Sequence, residues 1–185
     1  MTQKKVYKGS AGRAQSLSNS RAQGFYESIQ VKPATAVIGG IVSGVDMTLP
    51  IPEAQVMDLS YALANHNVLF FRDQPELTPE QQIAFARNFG ELHIHPAGPQ
   101  ENVYPEIFVI HTHKDSKLNN GGGWHTDVSC DEKPPLGTML QIHKTPEAGG
   151  DTLFSNMYAA FDALSDTLKD LLRACTAMHQ SEHIF

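Results

Sequence analysis

Two side chains near the middle of the chain, His125 and Asp127, are two residues apart and belong to types that bind metal ions. On an extended strand alternate side chains project from the same face. An imidazole nitrogen and a carboxylate oxygen at this spacing can therefore converge on one cation. One further histidine would complete a facial triad, the arrangement that leaves three positions open on iron(II) for a chelating co-substrate and dioxygen. A His-x-Asp pair also arises by chance, as a surface pair near a turn, and the pair alone does not separate the two cases. Its surroundings are more specific: Gly123-Trp124 precede it, a Pro134-Pro135 break follows, and the next strand leads into Gly149-Gly150-Asp151-Thr152. His111 and His113 alternate in the same way but lack these flanks, so they are expected to be structural or solvent-facing. His66 and His143 read as surface residues, and Trp124 as a packing residue that fixes the loop carrying His125.

The elements that must position this pair begin near Ile29. From Ile29 to Gly44, β-branched residues mix with glycines, which predicts two short strands and a bend. Val56, Leu59 and Leu63 recur at spacings of three and four, predicting a helix from Glu53 to about His66. Val68–Phe71 is an apolar run of strand length. Thr78 and Pro79 form a helix start, with Thr78 as N-cap and Pro79 in the first turn, and Gly90 ends that helix. Strands are expected at Ile107–Thr112, Thr138–His143 and Thr152–Ser155. Two amphipathic helices follow, the second with Leu168, Leu171, Leu172 and Cys175 on one face. Short, glycine-bounded strands with helical additions suit a mainly β class, an antiparallel sandwich or jelly roll, better than a parallel doubly wound sheet.

A length of 185 residues fits one domain, and 41% hydrophobic with 18% charged residues excludes a disordered or fibrous chain. The formal net charge of −6 argues against nucleic acid as a partner, because phosphate recognition needs clustered cations. Residues 1–32 are the basic exception, with Lys4, Lys5, Lys8, Arg13, Arg21 and Lys32 against Glu27. Residues 1–29, rich in Ser, Gln and Gly, read as a flexible leader, and 30–185 as the ordered domain. No apolar run has the length of a membrane span, so no membrane partner is expected. Cys130 and Cys175 form no motif, which suits a reducing cytoplasm.

Taken together, Trp124-His125-Thr126-Asp127-Val128, Pro134-Pro135 and Gly149-Gly150-Asp151-Thr152-Leu153 resemble the core of the taurine dioxygenase (TauD/TfdA) family of iron(II)/2-oxoglutarate-dependent dioxygenases. Upstream, Gly44-Val45-Asp46, Val68-Leu69-Phe70-Phe71-Arg72-Asp73-Gln74 and Phe89-Gly90-Glu91-Leu92-His93-Ile94-His95-Pro96 are similar to that family's N-terminal signatures. Ala163-Leu164-Ser165 fits downstream, so the resemblance runs from about Gln30 to Phe185. It implies a double-stranded β-helix, incomplete in this chain, with iron(II), 2-oxoglutarate and dioxygen as cofactor and co-substrates. It implies His125 and Asp127 as metal ligands and Thr152 as a hydrogen-bonding partner of 2-oxoglutarate. His95 matches a histidine at the anionic end of the substrate, where its imidazolium form would favour an anion. Val128 and Phe185 match apolar substrate-pocket positions that core packing would explain equally well.

The implied reaction is hydroxylation of a small anionic organic substrate (a sulfonate, alkyl sulfate or aryloxyacetate) with release of succinate and carbon dioxide. Gly98 and Gly121 stand where the taurine enzymes carry a tyrosine and an asparagine, which puts taurine itself in question. The family's distal histidine and its 2-oxoglutarate arginine have no counterpart here. His179 and His183 follow Asp127 too closely to be that ligand. The chain is therefore expected to be part of a longer protein, inactive by itself and homo-oligomeric when whole, as family members commonly are. Two other readings compete: a non-catalytic jelly-roll binding protein with a vestigial metal site, and a zinc hydrolase built on His125 and Asp127.

Overall fold

A computed structural model describes residues 26–95, 103–113, 115–116 and 123–180. The chain divides into two compact units. One comprises Met1–Asp46, Ile51–Gln74 and Thr145–Thr176; the other comprises Met47–Pro50, Pro75–Lys144 and Ala177–Phe185.

The first unit contains a three-stranded sheet of β1 (Gln30–Pro33), β2 (Gly40–Ser43) and β3 (Leu69–Phe71) in that order. β1 and β2 pair antiparallel with Val31 opposite Val42, and both valines are buried while Lys32 and Ser43 face out. Such alternation sets the register, because a slip of one residue would expose both valines. The connection between them closes through Gly39, at φ 90°, whose carbonyl accepts from the Ala34 N–H at 2.9 Å.

β3 joins β2 in parallel, with Ile41 opposite Phe70. Parallel neighbours need a crossover, and α1 (Glu53–His66) supplies it. The sequence expectation of an antiparallel arrangement is therefore corrected for this pair: the helix carries the chain back so that β3 runs in the direction of β2. α1 ends where Asn67 takes a left-handed φ of 64° and its N–H bonds the Leu63 carbonyl at 2.8 Å.

Leu59, Ala62 and His66 line the inner face of α1, against a core that includes Ile29, Val31, Val42 and Val45. The expected surface position of His66 is also corrected, since its relative exposure is 0%. Polarity alone suggested a solvated residue, but the three- and four-residue spacing that buries Leu59 and Ala62 carries position 66 inward as well. Gly40 makes the room for it. A Cβ there would lie 2.8 Å from Val31 Cγ1 and 3.0 Å from His66 Cγ.

Asp58 holds the segment leading into β1. Its Oδ2 accepts from the Glu27 and Ser28 amides at 3.0 and 2.8 Å and from the Ser28 hydroxyl at 2.7 Å. Two short helices complete this unit, α3 (Met157–Asp162) and α4 (Asp166–Arg173), N-capped by Asn156 and Ser165. Leu168, Leu171 and Leu172 of α4 are solvent-exposed among the described residues.

The second unit carries α2 (Pro79–Ala86), continued by one 3₁₀ turn at Arg87–Phe89. Thr78 and Gln81 form a reciprocal capping box in which the Gln81 amide donates to Thr78 Oγ1 at 3.3 Å and the Thr78 amide to Gln81 Oε1 at 2.9 Å. Leu77 and Phe85 are buried, and the Phe85 and Phe89 rings lie 5.6 Å apart. The strands expected at 107–112, 138–143 and 152–155 form no paired ladder among the described residues. Apolar alternation favours an extended backbone, but a strand exists only when a neighbour takes its hydrogen bonds. Residues 1–25, which include most of the expected leader, lie outside the described residues.

Candidate metal centre

The segment Gly123–Asp131 belongs to the second unit and turns at Asp127–Cys130, where the Asp131 amide bonds the Val128 carbonyl at 3.2 Å. This corrects the expected strand around the His-x-Asp pair. Val128 carries the reversal at φ 49°, a left-handed conformation that is costly for a β-branched residue. The two side chains still meet. His125 Nε2 lies 3.2 Å from Asp127 Oδ1.

Two neighbours define the chemistry of this contact. His125 Nδ1 lies 2.8 Å from the Gly123 carbonyl oxygen. A carbonyl only accepts, so Nδ1 carries a hydrogen, and it is Nε2 that faces Asp127, as a lone pair whenever the ring is neutral. Asp127 Oδ2 accepts from the Thr138 hydroxyl at 2.7 Å, leaving Oδ1 toward the imidazole. A lone pair and a carboxylate oxygen that face each other require a proton or a cation between them. Divalent first-row metals hold nitrogen and oxygen donors at about 2.0–2.2 Å, so two adjacent ligands of one ion stand about 3 Å apart. The observed separation fits that requirement. Both side chains are about half exposed, at 51% and 48%, so the edge is open to an incoming ion. Among the described residues no third His, Cys, Asp or Glu joins them.

The other expected site residues fall as follows. His95, in the same unit, stacks on Phe108 with ring centroids 4.9 Å apart and planes 11° from parallel. Val128 is half-buried. Thr152 belongs to the first unit and is exposed. Phe185, Gly98 and Gly121 lie outside the described residues. Trp124 is 72% exposed, which corrects its expected packing role: among the described residues its indole is not enclosed.

Three partners of this segment were not anticipated from sequence. Besides Thr138, His93 Nε2 meets Asp131 Oδ2 at 2.9 Å, and His179 Nδ1 meets Ser129 Oγ at 3.0 Å. Each bond spans at least eleven residues, so no local spacing signals it. His143, as expected, is exposed, with Nδ1 3.0 Å from Glu76 Oε1.

A family profile described as "Taurine catabolism dioxygenase TauD, TfdA family" matches residues 30–185. A Saccharomyces cerevisiae protein named alpha-ketoglutarate-dependent sulfonate dioxygenase is 33% identical over 90% of this chain and 42% of its own length. An Acinetobacter baylyi protein named alkylsulfatase is 32% identical over 85% of this chain and 49% of its own. The crystal structure of a taurine dioxygenase from Burkholderia xenovorans superposes with a TM-score of 0.64 at 36% identity, covering 80% of this chain and 52% of that one. The chain thus spans about half the length of the curated relatives it matches.

Proposed function

Since the chain belongs to the taurine catabolism dioxygenase TauD, TfdA family, we propose that the whole protein is an iron(II)- and 2-oxoglutarate-dependent dioxygenase acting on a small anionic organic substrate, with His125 and Asp127 as two of its metal ligands. The observation that carries this reading is the 3.2 Å approach of His125 Nε2 to Asp127 Oδ1, with the Gly123 carbonyl and the Thr138 hydroxyl occupying the outer atom of each. Curated relatives named for a sulfonate dioxygenase and an alkylsulfatase favour a sulfonate or sulfate ester as substrate. A double-stranded β-helix, with a third ligand from outside the described residues, is part of the same proposal.

When bound, iron(II) with 2-oxoglutarate and dioxygen supplies hydroxylation of a substrate carbon, with release of succinate and carbon dioxide. The residues of this chain do the rest. Gly123 fixes the tautomer in which His125 offers its Nε2 lone pair, as metal-binding histidines require. Asp127 would bring one negative charge to a dication while its Oδ2 stays bonded to the Thr138 hydroxyl. His95, held flat by Phe108, is assigned to the anionic end of the substrate, where a ring N–H donates to a sulfonate or sulfate oxygen. Val128 and Phe185 are assigned to the substrate's apolar body, and Thr152 donates its hydroxyl to a 2-oxoglutarate carboxylate. A carbon that bears the sulfonate or ester oxygen and becomes hydroxylated then collapses and releases that group. Free, exposed Cys130 and Cys175 suit a reducing cytoplasm.

The test is succinate formation by the whole protein with 2-oxoglutarate, iron(II), and an alkylsulfonate or an alkyl sulfate. Turnover that needs both iron and 2-oxoglutarate, and that disappears in His125→Ala and Asp127→Ala, is the expected result. Turnover of a sulfate ester in zinc without oxygen would point instead to a hydrolase.

A further inference from the structure

The structure assigns Thr138 a role that the sequence pattern does not announce: we infer that its hydroxyl is a positioning group for Asp127, holding the carboxylate so that only Oδ1 is presented to a divalent cation shared with His125. This rests on the metal-site reading above and adds to it a residue eleven positions away from the ligand. Thr138 Oγ1 donates to Asp127 Oδ2 at 2.7 Å, a charge-assisted hydrogen bond of good length. A carboxylate left free rotates and can close on a cation through both oxygens. With Oδ2 held, Asp127 binds through one oxygen and takes up one position instead of two.

Thr138 is fixed rather than a drifting surface hydroxyl, because the segment that bears it is pinned further along. The Gln141 side chain pairs with both backbone groups of buried Leu77. Its Oε1 accepts the Leu77 amide at 2.8 Å, and its Nε2 donates to the Leu77 carbonyl at 3.1 Å. His143, two residues on, meets Glu76 at 3.0 Å. Leu77 directly precedes the N-cap of α2, so these bonds tie 138–143 to the start of a regular helix within the same unit. The threonine hydroxyl is therefore delivered by a framework, as groups that orient metal ligands commonly are.

The test uses the whole protein and two readouts that do not depend on turnover. Mn(II) binding is followed by loss of the free-ion electron paramagnetic resonance signal. Co(II) binding is followed by quenching of Trp124, the immediate neighbour of His125. Thr138→Ala is expected to weaken both ions by about 10- to 100-fold, the range typical of lost outer-shell partners. Thr138→Ser, which restores the hydroxyl, should return the affinity to within a few-fold of the parent. Thermal unfolding followed by circular dichroism should be the same in all three proteins, since Thr138 is exposed. If the parent binds the ions, and His125→Ala and Asp127→Ala lose them while Thr138→Ala binds like the parent, the role of Thr138 is overturned and the metal site stands. If Thr138→Ala and Thr138→Ser weaken binding equally, the hydroxyl is not responsible and the inference is overturned. If the whole parent protein takes up neither ion, the metal-site reading fails and this inference fails with it.

Discussion

His125 directs Nε2 at Asp127 Oδ1 from 3.2 Å while its Nδ1 is turned back onto the carbonyl of Gly123, two residues earlier in the chain. The local backbone thus prepares the imidazole before any ion arrives. Replacing His125 by Gln keeps a polar group but loses the aromatic lone pair. Mn(II) affinity is expected to fall at least tenfold, as for other disrupted metal-ligand sets, with an unchanged circular dichroism spectrum because His125 is exposed. Equal Mn(II) binding by the parent and His125→Gln would remove the imidazole from the site.

Gly40 faces His66 across the core of the first unit. A methyl group at position 40 would press on Val31 Cγ1 at 2.8 Å and on the His66 ring at 3.0 Å. Both neighbours are fully buried and cannot step aside into solvent. Gly40→Ala should therefore destabilise the fold by about 1–3 kcal/mol, the usual cost of overpacking a filled core. Urea denaturation measures it, and a midpoint equal to the parent's would show that the core yields freely.

The capping box at the start of α2 predicts a second stability effect. Thr78→Ala removes the acceptor of the Gln81 amide, and loss of such a cap costs about 0.5–2 kcal/mol. Thr78→Ser retains the oxygen and should recover most of it. Amide exchange at Gln81 reads the site directly: protection there should drop in Thr78→Ala and persist in Thr78→Ser.

Glu80 and Tyr104 give a pH-dependent prediction. The Tyr104 hydroxyl donates to Glu80 Oε1 and is the main reason that the Glu80 carboxyl titrates below its ordinary 4.5; a backbone amide and Thr78 add to the effect. The same bond raises the Tyr104 phenol above its ordinary 10.0. A lowered carboxyl pKa contributes stability above the ordinary value and loses it as the pH falls through the folded value. A raised phenol pKa contributes below the ordinary value and loses it as the pH rises through the folded one. The contribution of the bond is therefore full between about pH 5 and pH 9 and fades on both sides. In Tyr104→Phe, carbon NMR of the Glu80 carboxyl should show its midpoint move upward toward 4.5. A midpoint that stays where it is would mean that the phenol does not hold this carboxylate.

What the sequence determined alone is local. Periodic Val56, Leu59 and Leu63 specify α1, Thr78-Pro79 specifies the start of α2, and Val68–Phe71 specifies the last strand of the sheet, because helix faces, caps and apolar runs depend on neighbours a few residues away. The spacing of His125 and Asp127 likewise brought the two groups to one point. It did so although no strand forms at 125–127, since two residues of reach suffice without one. Tertiary structure decided everything that needs a distant partner. It buried His66 beneath Gly40, ran β3 parallel to β2, left the 107–112 and 138–143 segments without ladders among the described residues, and set Thr138 against Asp127. Each of these joins groups whose separation along the chain exceeds any periodicity. The free energy that selects them comes from burial and hydrogen bonds made only once the chain has closed on itself.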